Sequence, residues 1–173
     1  PTGDTAPSLE TTESLRTNGV LVLATDGTLN DSSAFDWDTY YNIHLNGLPV
    51  IEIRAAFGEI GSGSESIHWV GLYYGGSPTQ RVVIGNWDDP TKNPADFIVR
   101  VSDQTPENDV TTDLEIAADT NWHTWKIEFI STSEFNVYQD NTFIKNISGK
   151  SFNTTIFGPW LQAYGTAAAV KTT

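Results

Sequence analysis

Trp160, Gln162 and Tyr164 alternate along one stretch of the chain, so in a strand all three side chains leave on the same face. An aromatic ring beside an amide is the combination that stacks on the C–H surface of a pyranose and reads its hydroxyls. Pro159 points to a strand start or a sheet edge there. Trp160 is therefore either a ring platform for a ligand or a core indole. Trp87, just before Asp88-Asp89-Pro90 at the end of an apolar run, is a second candidate platform. Glu52 and Arg54 share the polar side of Val50 to Phe57; they either hydrogen-bond a ligand on a concave sheet or pair with neighbours as a solvated face. Trp69 and Tyr73 sit in the most apolar run, where at least one face belongs to the core. Trp122 and Trp125 read as structural.

The acids suggest different chemistry. Asp103, Glu107, Asp109 and Asp113 crowd one stretch, and Asp36 and Asp38 flank Trp37. Calcium takes about six to eight oxygen ligands from such segments, backbone carbonyls included. A structural Ca2+ held by the first four acids is the expectation, although no EF-hand spacing is present. His44, His68 and His123 give no zinc-type spacing, and His68, at the start of a buried run, reads as a structural histidine. Gly61-Ser62-Gly63 superficially resembles part of a nucleophile elbow, but no Gly-x-Ser-x-Gly joins a strand to a helix. The absence of cysteine excludes disulfides, thiolate metal sites and a cysteine nucleophile.

These residues need strands to position them. Trp125, Ile127 and Phe129 alternate with Thr124, Lys126 and Glu128, the period of two of a half-buried strand. Ser131 to Ser133 turn the chain, Phe135 and Val137 resume the alternation, and Asp140-Asn141 makes a tight polar turn before Phe143 and Ile144. Further strands are predicted at Val20 to Ala24, Tyr40 to Leu45, Val50 to Phe57, Ile67 to Tyr74, Arg81 to Trp87, Phe97 to Val101, Leu114 to Ala117 and Thr155 to Tyr164. Asp31 to Asp38 and Ser102 to Asp113 read as loops. Residues 1–16 form a polar arm, and residues 17–173 a single β-sandwich domain of roughly ten strands.

Composition agrees. Aromatics make up 12% of the 173 residues, which excludes a disordered chain despite a net charge of −13. Nine basic residues scattered among 22 acidic ones leave no stripe for phosphates, so nucleic acid and anionic membrane are excluded as partners. No run approaches the roughly 20 apolar residues of a membrane span; the longest, Gly19 to Ala24, is strand-sized. The opening Pro1-Thr2-Gly3-Asp4-Thr5-Ala6-Pro7 has neither a basic nor an apolar leader region, as expected where a signal peptide has been removed. An extracellular or cell-surface setting is expected.

Val50 to Phe57, followed after a loop by His68-Trp69-Val70-Gly71-Leu72-Tyr73-Tyr74, resembles paired strands of the concanavalin A-like lectin/glucanase jelly rolls. Trp122 to Phe129 with Asn136 to Asn141 is similar to a hairpin of that superfamily, and the match runs in order over residues 40 to 164. The resemblance implies an all-β, two-sheet antiparallel jelly-roll sandwich. It also implies what is missing. Family-sixteen glycoside hydrolases of this superfamily carry a Glu-x-Asp-x-x-Glu strand, two of whose carboxylates stand about 5 to 5.5 Å apart. Neither Arg81 to Trp87 nor Phe97 to Val101 contains an acid. The family also closes with a further strand after the one matching Ile156 to Tyr164, a role open either to the tail Gly165 to Thr173 or to a strand from elsewhere. The expected function is a non-catalytic, lectin-like domain that binds a polysaccharide or glycan. The alternatives are a surface or filament subunit that self-associates through open sheet edges, and a hydrolase or lyase with an unrecognised site.

Overall fold

Alternation in the Trp125 stretch is realised as strand, and most of the chain follows the same logic. The structure, a computed structural model, describes residues 2–3, 8–9, 21–22, 32–36, 42–57, 66–75, 79–86, 96–103, 109–152 and 154–165. Among them lie β1 (Thr2–Gly3), β2 (Ser8–Leu9), β3 (Leu21–Val22), β4 (Ser32–Asp36), β5 (Ile43–His44), β6 (Val50–Ala55), β7 (Ser66–Tyr74), β8 (Gln80–Asn86), β9 (Asp96–Ser102), β10 (Asp109–Ala117), β11 (His123–Ser131), β12 (Glu134–Gln139), β13 (Thr142–Ile147) and β14 (Ile156–Gly165). The only helical piece among these residues is a 3₁₀ turn at Leu45–Gly47. None of them forms a helix long and apolar enough to cross a membrane.

The strands build two antiparallel sheets and a small pair. One sheet has eight strands in the order β1-β4-β14-β7-β8-β9-β10, with β5 also pairing β14. The other has four, β13-β12-β11-β6, and β2 pairs β3 separately. Between the two sheets, Val70, Leu72, Val82, Ile84, Phe97, Val99 and Val101 from one layer meet Trp125, Ile127, Phe129, Phe135 and Val137 from the other. Trp125 is 1% exposed, and its ring meets the Phe97 ring edge-on at 4.8 Å. Each such side chain removed from water contributes about 1.5–3 kcal/mol. This is the two-sheet antiparallel sandwich expected from the alternation and from the resemblance together.

Two expected loops contain strand. Asp31 to Asp38 contains β4, whose Ala34 is 3% exposed and which pairs with both β14 and β1. Its Ser-Ser-Ala run lacks apolar alternation, and the tertiary pairing supplies what propensity does not. Likewise β10 begins at Asp109, inside the expected acidic loop, and the predicted Leu114 to Ala117 strand is its end. Of the predicted Tyr40 to Leu45 strand, Ile43–His44 is β5, Leu45 opens the 3₁₀ turn and residues 40–41 lie outside the described residues; Leu48 at φ 49 redirects the chain into β6. The Asp140-Asn141 turn is as read. Its residues have φ 49 and 67, and Gln139 pairs with Thr142, so a two-residue turn of primed type joins β12 to β13. Residues 166–173 of the tail lie outside the described residues.

Candidate functional site

The outer face of the eight-stranded sheet carries a second aromatic cluster, separated from the main core by the sheet itself. Strand period dictates this: if Val70 and Leu72 of β7 point inward, then Trp69, Gly71 and Tyr73 point outward. Register then assembles three rows. Gly158, Tyr73 and Arg81 form one; Trp160, Gly71, Val83 and Arg100 the next; Gln162, Trp69, Gly85, Ile98 and Asp113 the third. Trp69, Val83, Ile98 and Trp160 pack together, with Tyr73 against them.

Glycine makes room for the rings. A Cβ on Gly85 would stand 2.8 Å from Trp69 Cε3 and would run into the His68 carbonyl oxygen. Gly71, beside Trp160, has φ +154, and a Cβ there would strike the Val82 carbonyl oxygen. Tyr73 stacks on Trp160 with centroids 4.7 Å apart and 28° between planes. The Arg100 guanidinium carbon lies 6.0 Å from the centre of the Trp69 ring. The face therefore offers a half-buried tyrosine on an indole floor, flanked by an amide and a guanidinium.

The expected site residues are distributed unevenly over this geometry. Gln162 is half-buried and lies in the row of Trp69. Trp160 belongs to the same face but is only 7% exposed, because Tyr73 covers it; of the two roles left open to it, the buried indole is the one that fits, and it forms a floor under Tyr73. The backbone of Tyr164 pairs with Ile67 and Ser32, while its side chain lies outside the described residues, as does all of Trp87. Glu52 and Arg54 are brought to a different place. They project from β6 on the outer face of the four-stranded sheet, on the far side of the sandwich from Trp160. One ligand cannot touch both sets.

The acid quartet is also dispersed. Asp103, 7% exposed, accepts a hydrogen bond from the Ser151 N–H at 3.0 Å. Asp113 pairs across from Ile98, five residues along β9 from Asp103, or roughly 16 Å of strand. A single calcium cannot bridge that span. Glu107 and the Asp109 side chain lie outside the described residues, among which no group of three or more His, Asp or Glu is poised to hold a metal. Asp113 Oδ1 is buried without a hydrogen-bond partner.

One polar constellation escaped the sequence reading. His123 Nδ1 lies 2.6 Å from Asp140 Oδ2, and its Nε2 lies 2.9 Å from Asp119 Oδ1. Asp140 also accepts the Thr124 N–H, and Asp119 accepts the Asn121 N–H and side-chain amide. Burial of the ring opposes its charge, but the hydrogen bonds and charges of Asp140 and Asp119 hold its pKa above the ordinary value of 6.5. The hairpin register, with Trp125 opposite Gln139, was the signal that could have revealed the Asp140 contact.

No protein-family model matches the sequence, and no curated protein resembles it in sequence. Solved structures do resemble it in fold. A β-1,3-1,4-glucanase from a mouse hindgut metagenome superposes with a TM-score of 0.63 at 11% identity, over 95% of this chain and 77% of that one. The Bacillus licheniformis β-glucanase gives 0.56 at 10% identity, over 78% of this chain and 63% of its own. A protein of Mycobacterium tuberculosis described as a pseudo β-1,3-glucanase gives 0.54 at 14%, over 71% of this chain and 57% of its own. The chain thus spans less than two thirds of the length of the last two. At such identities the likeness is one of architecture: the chain has the jelly-roll fold of these glucanases.

Proposed function

We propose that the protein is a non-catalytic, lectin-like domain that binds a neutral polysaccharide outside the cell. The observation that carries this reading is the outer face of the eight-stranded sheet, where Tyr73, stacked on Trp160, stands with Gln162 and Arg100 around an indole floor. Ring plus amide plus guanidinium is a sugar-reading chemistry. The solved neighbours described as glucanases, together with the one described as a pseudo β-1,3-glucanase, support a carbohydrate ligand on this architecture.

Hydrolysis by the retaining route needs two carboxylates about 5 to 5.5 Å apart on one face. Among the described outward side chains, β7, β8 and β14 offer no acid, and Asp96 of β9 and Asp113 of β10 stand on different strands rather than at alternating positions of one. A net charge of −13 repels polyanionic chains, which favours a neutral glycan over a sulfated or uronate one.

Titrating β-1,3- and mixed-linked glucans by calorimetry, beside a reducing-sugar assay, tests the proposal. Saturable binding without release of sugar is expected. Tyr73→Ala should weaken it by about tenfold, the effect of losing one anchoring ring. Absence of binding to any neutral glycan, or turnover abolished by an acid-to-amide change, would sink the reading.

A further inference from the structure

Five of the six exposed large apolar side chains among the described residues, Leu48, Val50, Trp122, Ile130 and Phe143, stand on or beside the four-stranded sheet; Val110 is the exception. Ladder register sets two rows across the outer face of that sheet. Glu52, Lys126, Tyr138 and Phe143 form one, and Val50, Glu128, Asn136 and Asn146 the other.

Bonds across the strands fix both rows. The Tyr138 hydroxyl donates to Glu128 Oε2 at 2.5 Å, and the Asn146 amide donates to Asn136 Oδ1 at 2.8 Å and Glu134 Oε1 at 3.0 Å. Lys126 Nζ sits 3.8 Å from the centre of the Tyr138 ring, whose other neighbour is the Phe143 ring, edge-on at 5.7 Å. At one end the Arg54 guanidinium lies 5.5 Å from the centre of the Trp122 ring. Trp122 is 43% exposed and Phe143 54%.

We infer that this face is a second glycan-binding surface, which takes a short neutral oligosaccharide between Trp122 and Phe143. The inference rests on the glycan-binding reading of the protein but uses the opposite side of the sandwich. Size argues against a protein partner or a second copy. Four strands about 4.8 Å apart and six residues at about 3.3 Å give a face of roughly 400 Å², against about 800 Å² per partner in a stable protein interface. Chemistry argues for a sugar. Exposed rings supply stacking surfaces, and amides, carboxylates and a guanidinium already held in a network supply donors and acceptors without a further ordering cost. Charge argues for a neutral one: Arg54 and Lys126 share the face with Glu52, Glu128 and Glu134, on a chain of net charge −13. A molecule with binding faces on both outer surfaces bridges two glycan chains.

Calorimetry with laminarihexaose, cellohexaose and a mixed-linked hexaose tests this, on the intact chain and two double variants. Trp122→Ala/Phe143→Ala removes rings already in water, and unchanged circular dichroism should attest its fold. Tyr73→Ala/Gln162→Ala addresses the other sheet. Two sites per chain are expected, one lost in each double variant with affinity there falling at least about tenfold, and precipitation of soluble β-glucan by the intact chain alone. Binding lost only in Trp122→Ala/Phe143→Ala would support this face and overturn the other. Unchanged stoichiometry and affinity in Trp122→Ala/Phe143→Ala would overturn the second face while leaving the first in place. No binding by the intact chain would overturn both.

Discussion

His123 is held by two carboxylates on opposite sides of its ring, and this sets a pH window. Its folded pKa is raised above 6.5, so its stabilisation is fully present below that value and is lost as pH rises through the folded pKa. Asp119 is lowered from 3.8, mainly by its bonds to Asn121, and Asp140 by the Thr124 N–H and then His123. Their stabilisation is present above 3.8 and is lost as pH falls through the lowered values. The difference in Tm between the wild type and His123→Gln should therefore be largest between pH 3.8 and 6.5 and should shrink above that range. Thermal melts across pH measure it; a difference that stays constant from pH 5 to 9 would show that the ring is not charged in the clamp. At this scale residue types were legible and their company was not. Alternation told that Glu52 and Arg54 face away from Ile51 and Ile53, yet only the strand order separates them from Gln162 by the full thickness of the sandwich.

At the scale of elements, the β11–β12–β13 meander was the most legible part of the chain, because β11 and β12 alternate strictly and the turn into β13 carries its own signal. Asn141 at φ 67 occupies a conformation that β-branched side chains resist. Asn141→Val should cost about 1–2 kcal/mol, measured as a lowered urea midpoint with an unchanged slope. A neutral result would mean that the turn relaxes to another type. Trp125, buried against Phe97, is the other anchor; Trp125→Ala should cost about 3–5 kcal/mol. Trp125→Phe should cost clearly less, because Trp125 Nε1 is buried with no hydrogen-bond partner and phenylalanine sheds that unmet donor. Comparing the two variants by calorimetry separates ring volume from the polar group, and equal losses would refute the distinction. What was not legible had a common cause. β4 is a Ser-Ser-Ala strand and β10 begins in Asp-Val-Thr-Thr, so both owe their conformation to neighbours distant in sequence.

The whole molecule is strongly acidic, and among the described residues its two large sheets end in four outer strands, the setting in which edge-to-edge pairing has to be managed. On one side β10 carries a register break between Asp113 and Ala117, with Glu115 at φ 60. Lys145 crosses from the other sheet to bond the Asp113 carbonyl at 2.8 Å and Glu115 Oε1 at 2.7 Å. A bulge and a lysine are two of the devices that blunt an edge. On the other side β1 lies along β4, pairing Thr2 with Ala34 and Gly3 with Ser33, so the start of the polar arm covers an edge within its own chain. Deleting residues 1–7 removes β1, leaves β2, and bares β4, whose Ser32 to Asp36 backbone becomes a template for another strand. The intact chain should sediment as a monomer, with its charge of −13 adding repulsion at low salt. The shortened chain should gain mass with concentration, and more steeply at high salt, where that repulsion is screened. If the shortened chain remains monomeric at every salt concentration, β1 is not what guards this edge. If the intact chain is already oligomeric and the deletion disperses it, the arm donates its strand to a neighbour, and the surface-subunit alternative takes the lead.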